Sequence, residues 1–155
     1  MPITRYKAPA YTVAELLVSM AIMAMLLTAA AIGIHAAHQS YAYNAQKTDV
    51  LSRARGVLDR IARDVRRADT ADVPNDRSIE ITLADGEVHA YEWDGTNGGN
   101  LTLSVDAGAA AILTGGVRDF DVSFNDPSYQ VHIEVADGDV ESETTMTTTP
   151  RKEFF

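Results

Sequence analysis

The stretch TVAELLVSMAIMAMLLTAAAIGI, residues 12–34, decides how this chain is built. Its one charge is Glu15, and Glu15 is also the only charge anywhere from Ala8 to Ala37. Leu16 to Ile34 is nineteen residues without a charge. That is close to the ~20 that a helix rising about 1.5 Å per residue needs to cross the hydrocarbon core of a bilayer. A lone carboxylate in such a segment costs on the order of several kcal/mol, so it needs a partner or a function.

The flanks set an orientation. Met1 to Ala10 carries Arg5 and Lys7 and no acid, whereas Asp69 to Thr149 carries seventeen acids against Arg77 and Arg118. By the positive-inside rule, the N-terminus is expected in the cytoplasm and the remainder across the membrane, in a single pass with the head outward. A cleavable secretory signal fits the same stretch less well. The apolar run exceeds the ~7–15 residues of a typical signal core, Glu15 interrupts its start, and helical periodicity continues past the small residues Ala36 and Ala37.

Composition bounds the rest. At 155 residues and 46% hydrophobic, the chain has room for one modest domain besides a membrane segment. It has no cysteine, so neither disulfides nor thiolate metal sites contribute. The net charge of −9 argues against nucleic acid as a partner, because displacing counterions from phosphates takes a basic surface. The exception is Lys47 to Arg67, with seven bases against Asp49, Asp59 and Asp64.

No proline lies between Pro9 and Pro74, and only Gly33 and Gly56 interrupt that span as glycines. Val50, Leu51, Ala54, Val57, Leu58, Ile61, Val65 and Ala68 recur at three- and four-residue steps, one apolar stripe of an amphipathic helix. Arg53, Arg55, Arg60, Arg63 and Arg67 occupy its polar face. The spacing predicts one helix from about Thr12 to Ala68, apolar all round in its first half and on one side in its second. Val73 to Asp76 is expected to end it with a turn.

From Ser78 the period shortens to two. Ile79, Ile81 and Leu83 alternate with polar residues, Ala84-Asp85-Gly86 can turn the chain, and Glu87 to Trp93 reads as the returning strand. Further short runs at Leu101 to Val105, Val117 to Phe124 and Val131 to Val135 complete five predicted strands of an antiparallel meander. Its apolar face needs a cover, and the stripe from Val50 to Ala68 supplies one. The predicted class is α+β: residues 1–10 a basic leader, 11–37 a transmembrane helix, 38–70 its amphipathic continuation and 71–155 a β-rich head.

The run Ala10-Tyr11-Thr12-Val13-Ala14-Glu15-Leu16-Leu17-Val18-Ser19-Met20 resembles the processing motif of type IV pilins and type II secretion pseudopilins. The resemblance implies removal of the basic leader by a prepilin peptidase between Ala10 and Tyr11, methylation of the new N-terminus at Tyr11, and Glu15 as the fifth mature residue. Ala10 stands where glycine is usual in that family, and Tyr11 where phenylalanine or methionine is usual. The resemblance also supplies a partner for Glu15, the Tyr11 amine of a neighbouring subunit in a staggered helical bundle, which makes Glu15 a register pin. Alternatively, Glu15 sits at headgroup depth and snorkels into water.

Leu51 to Ala68 with its Arg-Asp-Val-Arg-Arg-Ala ending, Leu113-Thr114-Gly115-Gly116-Val117-Arg118-Asp119-Phe120-Asp121-Val122, and Thr147 to Lys152 resemble minor pseudopilins of the J class and the related W class of minor pilins. This implies a structural component, at the tip of a pseudopilus that helps export folded proteins. Its partners would be other minor and major pseudopilins, the inner-membrane assembly platform and the membrane itself. The competing expectation is a minor type IV pilin whose head binds a ligand in adhesion or uptake; a solitary anchored domain is the third.

An enzyme is not expected. His35 and His38 end the apolar helix, His89 and His132 fall in predicted strands, and no nucleophile or metal-ligand pattern accompanies them; all four read as interfacial or surface residues. Asp137, Asp139, Glu141 and Glu143 could supply oxygen ligands to calcium, which the resemblance to pseudopilins raises, but a solvated turn around Gly138 accounts for them without an ion, and no cofactor is expected.

Overall fold

A computed structural model describes residues 12–151. One helix, α1 (Val13–Arg67), is followed by seven strands: β1 (Ala68–Asn75), β2 (Ser78–Leu83), β3 (Val88–Trp93), β4 (Gly99–Val105), β5 (Ala111–Asn125), β6 (Ser128–Asp137) and β7 (Val140–Thr148). The class is α+β as expected, and α1 begins and ends within one residue of the predicted bounds.

The chain divides into two units, one up to Ala42 and one from Tyr43. In the first, every described residue is exposed, including Leu16, Leu17, Met20, Ile22, Met23, Leu26, Leu27 and Ile32. This apolar stretch makes α1 long and apolar enough to cross a membrane. Within it, Ser19 Oγ donates to the Leu16 carbonyl at 2.9 Å and Thr28 Oγ1 to the Ala24 carbonyl at 2.8 Å. Both hydroxyls are thus satisfied by the helix itself.

The second unit is built on the predicted stripe. Val50, Ala54, Val57, Leu58, Ile61, Ala62 and Val65 are buried, three or four residues apart, while Arg55, Arg60, Arg63 and Arg67 stay exposed. Against them lies the apolar face of a single sheet, with Ile79, Tyr91, Leu101, Phe120 and Ile133 fully buried. The strands run β1 to β7 in chain order, each antiparallel to the next, so the predicted meander is correct in topology.

Its strand count is not. There are seven strands, because two largely polar segments also pair. Val73 to Asp76 does not terminate the helix. The chain leaves α1 at Arg67 and enters β1 at once, and the expected turn is the end of β1 together with its hairpin to β2, where Asn75 pairs with Ser78 and Asn75 Oδ1 accepts from the Arg77 amide at 2.9 Å. Pro74 fits there because an edge strand needs only half of its amides. At the other edge, β7 buries only Val140 and Thr148 fully, so its alternation lacks the apolar contrast that marks a strand in sequence.

β5 begins at Ala111, ahead of the run expected from Val117, and so takes in Gly115 and Gly116. Gly116 has φ 75°, and a side chain there would collide with the Ala136 carbonyl. The glycine pair sits where the fifteen-residue β5 passes from pairing with β4 to pairing with β6. This lets one strand serve both neighbours. Bonds from the Val122 amide to the Asp76 carbonyl (2.8 Å) and from the Tyr129 hydroxyl to the Ala71 carbonyl (2.7 Å) tie the first hairpin back to β5 and β6.

Ile61, with no exposed surface, should report the strength of the helix-to-sheet contact. Replacing it with alanine is expected to cost about 2–5 kcal/mol in urea unfolding of the full chain in a neutral detergent, followed by Trp93 fluorescence. Ile32→Ala, at a site 66% exposed, should leave the same curve unmoved.

Candidate functional site

Two groups of polar residues stand out against apolar surroundings, one in each unit. The first is Glu15. Thr12 precedes α1, and its amide and hydroxyl both donate to Glu15 Oε2 at 2.9 Å, while the Glu15 amide donates to Thr12 Oγ1 at 3.3 Å. This reciprocal pattern is a capping box, in which residues three apart satisfy each other's unpaired groups at a helix start. A carboxylate there also faces the positive end of the helix dipole. The spacing Thr12-Val13-Ala14-Glu15 is the sequence signal for it, and neither expected role of Glu15, a register pin or a snorkelling residue at headgroup depth, used that spacing.

The cap leaves part of the carboxylate over. Both accepted bonds use Oε2, and Oε1 makes none among the described residues. Ala10 and Tyr11, the expected cleavage and methylation positions, lie outside the described residues.

The second group was not foreseen. Asp64 sits on the apolar stripe of α1 and is 7% exposed. Its Oδ2 accepts from the Tyr91 hydroxyl at 2.5 Å and from His89 Nδ1 at 2.7 Å, both on β3. His89 Nε2 in turn lies 3.3 Å from Glu87 Oε1. His89 is therefore no surface residue; its side chain is 12% exposed and bridges helix to strand. The available signal was the period of two, which puts His89, Tyr91 and Trp93 on one face of β3, with Asp64 one helical turn beyond Ile61.

A buried carboxyl is tolerated only when hydrogen-bonded, and here it has two donors from the facing strand. Burial alone lowers the basicity of His89, but the hydrogen bonds and charges of Asp64 and Glu87 more than offset it and hold its pKa above the usual 6.5. Burial first, and then the bond to Asp64, push the Tyr91 hydroxyl pKa well above its usual value. Tyr91 is thus a neutral donor and His89 the titrating member.

The remaining candidates do not converge. His35 shares a 3.2 Å contact with Gln39 one turn on, and His38 is exposed. His132 Nδ1 contacts Thr145 Oγ1 at 2.9 Å. Asp137 faces Arg53 at 3.4 Å and its carbonyl accepts from Gln46, while Glu141 pairs with Arg118. Among the described residues no three His, Asp or Glu side chains are placed to hold a metal ion.

Because the folded pKa of His89 is raised, its contribution to stability is complete below pH ~6.5 and fades as pH rises through the folded value. The full chain should therefore unfold at lower urea at pH 8 than at pH 6, and His89→Gln should flatten that slope. Asp64→Ala should cost about 1–3 kcal/mol at either pH by stranding its donors. An unchanged pH slope in His89→Gln would show the cluster to be inert.

No family model, curated protein or solved structure matches the chain.

Proposed function

We propose that this chain is a minor pseudopilin: a structural subunit of a type II secretion pseudopilus, working at its tip by docking and not by turnover. The observation that carries this is α1 itself, a 55-residue helix whose first half is apolar on all sides behind a single carboxylate, and whose second half covers an antiparallel sheet. An exposed apolar helix needs lipid or other helices around it. A folded head attached to such a helix is an anchored subunit.

In this reading, the N-terminus faces the cytoplasm and the head the periplasm, and the prepilin peptidase cuts between Ala10 and Tyr11. The amine exposed on Tyr11 is methylated. In the assembled filament, the Glu15 carboxylate meets the Tyr11 amine of a neighbouring pseudopilin, so that each buried charge offsets the other's desolvation. The capping box supports this role, since Thr12 holds the carboxylate through Oε2 and leaves Oε1 to accept from another chain. With its assembly platform and the other pseudopilins, the subunit then primes a short filament.

Glu15→Gln separates cap from pin, because glutamine completes a capping box but carries no charge. Co-expressed with peptidase and companion pseudopilins, Glu15→Gln should leave α1 and the head folded and the mature mass beginning at Tyr11, yet abolish entry into filaments. If Glu15→Gln enters filaments at the wild-type level, Glu15 is a cap alone. A mature N-terminus other than Tyr11 would overturn the register.

A further inference from the structure

The two edges of the sheet are treated differently. β1 is interrupted by two register shifts, contains Pro74 and is tied to β6 through the Ala71 carbonyl, while the Asp76 carbonyl just after it accepts from Val122 on β5. These are the devices by which proteins keep an edge from pairing. β7 has none of them. It pairs with β6 from Tyr129↔Thr148 to Asp137↔Val140 without a register shift, and holds neither proline nor lysine. Thr144, Thr145, Thr147 and Thr148 favour extended backbone. Its only sheet partner is β6, and among the described residues no backbone hydrogen bond leaves its outer side.

A row of unpaired amides and carbonyls nine residues long recognises one kind of ligand, another extended chain. Charge narrows the ligand further. On the solvent face, Asp119 pairs with Glu134 and Glu134 with Glu143, so three carboxylates share one rung that ends at the open edge. Like charges directly opposite destabilise a sheet. Arg118 is engaged with Glu141, and His132 Nε2 stands 3.9 Å from Asp119, but neither Glu134 nor Glu143 has an ion pair among the described residues. A lysine or arginine on an added strand, opposite Glu143, would complete the rung.

We propose that β7 is a strand-addition site for an extended partner segment bearing basic residues at alternate positions. The proposal stands apart from the filament reading, since it depends only on the second unit. A second copy of this chain is the poorer occupant, because β7 against β7 brings together two heads of the same strong negative charge.

The test uses the full chain in a zwitterionic detergent with two nine-residue capped peptides, one alternating lysine and valine, the other glutamate and valine. Affinity is read by fluorescence anisotropy and the site by hydrogen exchange. The lysine peptide should bind and slow exchange at 140–148 while leaving 68–75 unchanged, and the glutamate peptide should do neither. Glu143→Lys, a change on the solvent face, should weaken the lysine peptide about fivefold and improve the glutamate peptide. Three results would overturn the proposal: lysine-peptide binding without protection of β7, equal protection by both peptides, or concentration-dependent protection of β7 with no peptide present, which would assign the edge to a second copy.

Discussion

Burial of the α1 stripe against the sheet is the contact on which the rest depends. A meander with one apolar face is not stable uncovered, and an amphipathic helix gains little until its stripe leaves water. Each of Val50, Ile61 and Val65 loses all exposed surface in that contact, at roughly 1.5–3 kcal/mol for a side chain of that kind. The same contact explains why α1 changes character along its length. From Val50 to Val65 one side is committed to the sheet and the other carries arginines, whereas the described residues before Gln46 have no buried side chain at all. The helix is one element with two different surroundings to satisfy.

Asp64 adds specificity to that contact. Apolar stripes slide and rotate at small cost, but a carboxyl among Ile61, Ala62 and Val65 is accommodated only where donors meet it. Tyr91 and His89 meet it from alternate positions on β3, so the carboxyl is satisfied at this rotation and height of α1 on the sheet. Its net energy is small beside the cost of breaking it, because a well-packed apolar trio at the same place would avoid the desolvation altogether.

Polar groups at the extremes of the fold are handled unevenly, and that unevenness is informative. Glu15 is held by Thr12 through Oε2, and Oε1 has no hydrogen bond among the described residues. Of the two sheet edges, β1 is tied back by its own chain, and β7 has no outer backbone partner among the described residues. In both places hydrogen-bonding groups remain without a partner among the described residues.

By itself the sequence determined the helix, its bounds, the stripe and the antiparallel class, because periods of 3.6 and 2 are properties of single segments. The capping box was also written there, in Thr12 and Glu15, as a local spacing. Tertiary structure alone decided what depends on neighbours. β1 and β7 are strands because a paired neighbour completes their hydrogen bonds, and nothing in their own polar residues announces it. Asp64 and His89 lie twenty-five residues apart and meet only when helix and sheet close on each other, which turns two apparently solvent-seeking residues into a buried link. Likewise the acidic rung Asp119, Glu134 and Glu143 is a product of register: three strands place in one line charges that the chain itself keeps far apart.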